Sequence, residues 1–232
     1  MITGPETATG GSPERRLRLG VLASGRGSSL QAMLDASSAG RIPADVVVVL
    51  SNRPSAQALQ RARAAGVPAH ALSQRKFTSL RERDLAMVES LREHGAELVV
   101  LAGYDRVLSP EFLQAFPERI INMHPSLLPA FGGEMAMAPK PQADALAYGC
   151  KIAGCSVQYV VDDGGVDTGP IIAQAAVHVY DDDTVESLST RILREEHRIL
   201  LEAITWIAEG RVRREGRRVY TGRLRPQGGL TP

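Results

Sequence analysis

Asn122, His124 and Asp167 are residues of types that could do chemistry, and the first two are spaced to act on one site. Asn122 and His124 stand either side of Met123 at the end of an apolar run, and Asp167 follows within the glycine-flanked stretch GVDTGP. Residues two apart on a strand point the same way, so an amide and an imidazole would reach one site. A second pattern lies near the start, where SGRGSS places Gly25, Gly27, Ser28 and Ser29 between an apolar run and a helical pattern. Glycines let the backbone approach an anion, and the N–H groups of a first helical turn point at it, so phosphate is the natural ligand. Taken singly, each feature also has a plain reading: a tight turn, a turn asparagine, a capped surface histidine, a solvated acidic loop.

The glycine loop is not a dinucleotide fingerprint. Leu30 occupies the third glycine position, and the second strand ends in Ser51 and Asn52 with no acid for a ribose hydroxyl. NAD is disfavoured; Arg53 leaves NADP barely open. Asp181 to Asp183 read as a solvated turn beside a helix rather than a metal site, as no other ligands are evident.

The elements that must position these residues follow from hydrophobic periodicity. Leu17 to Ala23, Asp45 to Leu50, Ala69 to Leu72, Leu98 to Ala102 and Arg119 to Met123 read as strands. Helical patterns separate them: one carries Leu30, Met33 and Leu34; the next run Ala56 to Ala65 and Leu80 to His94; a short one is capped by Ser109 with Pro110 first. This β-α alternation predicts an α/β fold, a Rossmann-like, doubly wound, mostly parallel sheet with helices on both faces. Val157 to Val161 and Ile171 to Val179 read as a longer strand pair, Thr184 to about Glu209 as a helix, and Val212 to Tyr220 as a terminal hairpin. Ligands of such sheets sit beyond the carboxyl ends of the strands, where SGRGSS, GYDRVLSP and HPSLLPAF fall.

Composition bounds the function. The chain has 232 residues, 44% hydrophobic and 23% charged, with a formal net charge of +1. That balance argues against nucleic acid or an anionic membrane as partner. No apolar run reaches the ~18 residues of a membrane span, and MITGPETATGGSPERR lacks the apolar stretch of a secretory signal. Cys150 and Cys155 read as small core residues of a reduced, cytoplasmic protein. Residues 1–16 and 223–232 read as tails, and 17–222 as a single domain.

SGRGSSLQ, LAGYDRVLSP, INMHPSLLP and GVDTGPIIAQ, in this order, with EEH at Glu195 to His197, resemble the phosphoribosylglycinamide formyltransferases. The resemblance spans about Leu17 to Gly222. It implies transfer of a formyl group from 10-formyltetrahydrofolate, as co-substrate, to the amine of glycinamide ribonucleotide in purine synthesis. No metal is required, because the formyl donor is already activated. The matching positions imply Asn122, His124 and Asp167 as the catalytic group. They imply Gly27, Ser28, Ser29 and Glu196 as the ribonucleotide side, and Asp105, Arg106, Val107 and Leu108, with Asn122 and Arg81, as the folate side. The family usually has Asn where this chain has Ser29. The alternatives are hydrolysis of formyltetrahydrofolate or transfer to another amine. A monomer or a homodimer is expected.

The chain departs from the family between Phe131 and Leu146. GGEMAMAPKPQADAL is longer than usual and lacks the usual histidine, and Pro139 and Pro141 are expected to obstruct a helix start. Gln158 also replaces a usual histidine. A lineage-specific surface loop, a lid, and altered substrate choice or impaired catalysis are the readings these changes leave open.

Overall fold

The computed structural model describes residues 15–133, 139–163 and 165–222. The expected tails lie almost wholly outside the described residues. Arg16, assigned to the first tail, instead donates to Asp45 at 2.9 Å and to the Ala44 carbonyl at 2.8 Å, which ties it to the sheet.

The chain runs β1 (Leu17–Leu22), α1 (Ser28–Ser38), β2 (Ala44–Ser51), α2 (Gln57–Ala64), β3 (Ala69–Ala71), α3 (Leu80–Glu93), β4 (Leu98–Leu101), α4 (Pro110–Ala115) and β5 (Ile120–His124). It continues through α5 (Lys140–Tyr148), β6 (Ile152–Tyr159), β7 (Ile171–His178), α6 (Val185–Ala208) and the hairpin β8 (Arg213–Glu215) and β9 (Arg218–Tyr220). The seven-stranded sheet has the order β3-β2-β1-β4-β5-β6-β7. Pairings from β3 through β5 are parallel, whereas β5 with β6 and β6 with β7 are antiparallel.

Alternation along the strands builds two cores. Leu19, Val21, Leu98 and Val100 face α1, α2 and α6, whose Leu30, Leu59 and Leu200 are fully buried. Leu22, Val99 and Leu101 face α3 and α4, meeting Met87, Leu91 and Phe112. Both faces of the central strands are therefore covered, which is why they read as unbroken apolar runs. The order of the strands reverses between β1 and β4. Their carboxyl ends open a crevice there, and SGRGSS and GYDRVLSP leave the sheet side by side.

Two local expectations are corrected. β6 begins at Ile152, ahead of the expected Val157. Its first half, IAGC, carries little β propensity, and its pairing with β7 makes it a strand. Gly154 belongs there because a Cβ would stand 2.0 Å from the Ala175 carbonyl oxygen. Pro139 and Pro141 do not obstruct a helix either. Pro139 is the N-cap of α5 and Pro141 lies in its first turn. Those N–H groups make no intrahelical bond, so proline forfeits nothing.

Phe112 is fully buried in the α3–α4 core. Phe112→Ala is expected to lower unfolding free energy by about 3–5 kcal/mol, read from the midpoint of a urea titration.

Candidate active site

Asp167 is the centre of the site. Its Oδ1 accepts from Asn122 Nδ2 at 3.2 Å and from Gln158 Nε2 at 2.8 Å. Its Oδ2 meets His124 Nδ1 at 3.2 Å and accepts from the Gly133 N–H at 3.0 Å. Strand β5 supplies Asn122 and His124 from one face, as their spacing predicts, and β6 supplies Gln158 opposite Asn122 in the ladder. Asp167 itself stands at φ 59, in the left-handed region that aspartate tolerates better than most residues.

The side chains of His124 and Asp167 are only 5% and 8% exposed. Buried polar groups need hydrogen-bond partners, and both side chains have them. The His124 ring faces Asp167 at Nδ1 and the Phe131 carbonyl at Nε2, 3.2 Å away, so each ring nitrogen meets an acceptor. The loop after β5 is fixed from outside. Leu128 N–H donates to Ser156 Oγ at 3.0 Å, and Gln174 Nε2 donates to the Leu128 carbonyl at 3.0 Å. The Leu128–Pro129 peptide is cis.

This centre opens onto a cleft of about 1020 Å³. Gly27, Ser28 and Ser29 form its far end. Gly27 has φ 72, and a Cβ on it would lie 2.8 Å from the Ala58 backbone, so both conformation and the approach of α2 demand glycine. The first intrahelical bond of α1 runs from Gln31 N–H to the Gly27 carbonyl. The N–H groups of Ser28, Ser29 and Leu30 precede it, and no side chain caps them. One side of the cleft is the loop Tyr104 to Leu108. Asp105 is buttressed by Asn52 Nδ2 at 2.8 Å and by an ion pair with Arg53, while Val107 is 57% exposed.

Glu196 also lines the cleft, on a face of α6 that brings Glu186, Ser189 and Leu193 with it at helical spacing. Burial pushes the Glu196 carboxyl up to about 7. Its neighbour His197 turns to a separate crevice with Asp35 and Arg41.

Arg81 is not brought to this site. It ion-pairs with Glu111 at 2.6 Å, is 66% exposed, and is not among the residues lining the cleft. Ser189, Leu193 and Gln142 line the cleft without having been singled out from the sequence. The periodicity of α6 could have signalled the first two. Nothing short of the position of α5 signals Gln142, whose Nε2 donates to the Pro125 carbonyl at 3.3 Å. Gln158, met in the sequence only as a departure, is here a donor to the central carboxylate.

The family model described as formyl transferase matches residues 17–204. The chain belongs to the formyl transferase family. Among this family's members it is 37% identical over 210 residues to phosphoribosylglycinamide formyltransferase of Escherichia coli (strain K12), covering 90% of this chain and 96% of that one. It is 43% identical over 199 residues to the trifunctional purine biosynthetic protein adenosine-3 of Drosophila melanogaster, but spans only 14% of that longer protein. The crystal structure of glycinamide ribonucleotide transformylase 1 from Symbiobacterium toebii superposes with a TM-score of 0.84 at 51% identity, covering 90% of this chain and 95% of that one. The family relationship thus extends over the sheet, the cleft and α6 alike.

Glu196 gives a pH-dependent term in stability. Its folded-state value lies above the ordinary 4.5, so the folded protein prefers the protonated acid. Stability from this group is therefore lost as pH rises from about 4.5 through about 7. Glu196→Gln is expected to be more stable than the parent at pH 8 by about 3 kcal/mol, with the difference fading toward pH 4.5. Urea titrations of both proteins across that range check it; a constant difference would contradict it.

Proposed function

We propose that the chain transfers the formyl group of 10-formyltetrahydrofolate to the amine of glycinamide ribonucleotide, giving formylglycinamide ribonucleotide and tetrahydrofolate in purine biosynthesis. The observation that carries this reading is the convergence of Asn122 and His124 on Asp167 in the same cleft as the uncapped start of α1. The activity named for the relatives supports it. The ribonucleotide phosphate docks on the N–H groups of Ser28 and Ser29 beyond Gly27, and Glu196 contacts the same substrate. The folate lies along Asp105 to Leu108, where exposed Val107 offers apolar surface, and reaches Asn122. Arg81, engaged with Glu111 away from the cleft, has no part in this reading.

In the reaction the substrate amine attacks the formyl carbon. A C–N bond forms, and the carbonyl electron pair moves to oxygen. The second N–H of the Asn122 amide donates to that oxygen, and His124 Nε2–H turns to it from the Phe131 carbonyl. Asp167 holds both donors and keeps the ring charged. The attacking nitrogen loses its proton, the leaving folate nitrogen gains one, and the old C–N bond breaks as the carbonyl re-forms. Asp167 and water relay that proton. Two free cysteines, Cys150 and Cys155, are in keeping with a reducing, cytoplasmic setting.

Loss of formyl donor is followed by absorbance, with and without glycinamide ribonucleotide. Consumption only with the ribonucleotide is expected; equal consumption without it would mark a hydrolase. Asn122→Ala and Asp167→Asn are each expected to lose at least about a hundredfold in turnover while their far-UV circular dichroism stays unchanged. Near-parental turnover in both would remove the catalytic role assigned to this group.

A further inference from the structure

The loop from Gly103 to Ser109 forms one wall of the cleft, yet its polar supports lie outside the cleft. At its start, three hydrogen bonds close a ring across the ends of β1, β2 and β4. Ser24 Oγ donates to Asn52 Oδ1 at 2.6 Å, Asn52 Nδ2 donates to Asp105 Oδ1 at 2.8 Å, and Asp105 N–H donates to Ser24 Oγ at 3.0 Å. At its end, the Ser109 N–H donates to Asp84 Oδ2 at 2.6 Å. Asp84 is wholly buried in α3, and its other oxygen accepts from Arg83 Nε at 2.9 Å and Nη2 at 2.6 Å. Tyr104, just before the first support, and Leu108, just before the second, are pinned in the α3–α4 core while also lining the cleft. Arg106 and Val107 between them present the outer part of the wall.

A fully buried ion pair between adjacent residues is a costly device, since an apolar pair of similar volume is often as stable or more so. Its particular product here is a charged acceptor aimed at one backbone N–H. We propose that Asp84 is the positioning residue of the formyl-donor side of the cleft, holding the Gly103 to Ser109 loop in its binding geometry before any ligand arrives. Arg83 is the counter-charge that lets Asp84 remain buried. The inference rests on the folate lying along this loop, as in the proposed function. It predicts an effect confined to one of the two substrates.

Paired variants separate this role from simple stability. Arg83→Met/Asp84→Leu replaces both ions with apolar groups and removes the Ser109 acceptor. Arg83→Met/Asp84→Asn also removes both charges but keeps an oxygen for that N–H. The leucine pair is expected to raise KM for the formyl donor about tenfold or more, leaving KM for the ribonucleotide within about twofold. The asparagine pair is expected to return the donor KM to within about threefold of the parent. An unchanged donor KM in the leucine pair, a parallel rise in both KM values, or equal behaviour of the two pairs would each overturn the proposal. Hydrogen exchange on the unliganded parent is a test that needs no variant to fold. The Ser109 amide should exchange as slowly as the amides of β4, and exchange at the rate of an exposed loop would overturn a preset wall. If the parent consumes no formyl donor with the ribonucleotide present, the functional reading fails, while this exchange result still decides whether the loop is held.

Discussion

The carboxylate of Asp167 is the point on which the site depends. It gathers four donors from three separate segments: Asn122 and His124 at the end of β5, Gln158 on β6, and the Gly133 backbone beyond the proline loop. A left-handed backbone costs a non-glycine residue roughly 1–2 kcal/mol, and charge-assisted hydrogen bonds of this number are ample to offset it. The close packing around the loop leaves little choice of path. A Cβ on Gly169 would stand 1.7 Å from the Tyr159 carbonyl oxygen, so the chain passes against the end of β6 on its way into β7. The antiparallel half of the sheet thereby has a function distinct from the parallel half: it brings a loop distant in sequence over the carboxyl end of β5.

Opposite charges are handled differently at the two ends of the cleft. At one end, the Asp167 carboxylate is satisfied by fixed donors, with the His124 ring held beside it. At the other end, the start of α1 offers backbone N–H groups and no acidic side chain in its first turn. A helix start of this kind suits an anion through its backbone N–H groups, and Arg26 and Arg106 line the same cleft. Glu196, desolvated on α6, adds an acid whose carboxyl is pushed up to about 7.

The segment after His124 illustrates where pattern reading stops. Its prolines suggest a broken helix, yet α5 starts between them because the first turn of a helix asks for no N–H donors. Gln142, two residues into that helix after Lys140, then reaches back to the Pro125 carbonyl. Arg81 illustrates the converse. A charged residue in the right stretch of sequence was expected at the folate, but one step along α3 turns a side chain by about 100°, and Arg81 meets Glu111 on the outside.

By itself the sequence determined the alternation of apolar strands and amphipathic helices, and with it the doubly wound sheet and the end of that sheet where ligands lie. It also determined the β5 pair Asn122 and His124, because period-two geometry is local, and the glycine loop, because glycines between a strand and a helix let the backbone approach an anion. Asp167 entered through the family resemblance; tertiary structure decided how its carboxylate closes on that pair, that Gln158 joins it, and that Asp84 under α3 supports a wall of the cleft it never touches. Those contacts span 9 to 45 residues of chain. Each depends on how strands pair and helices pack, and local propensity carries no information about partners that far apart.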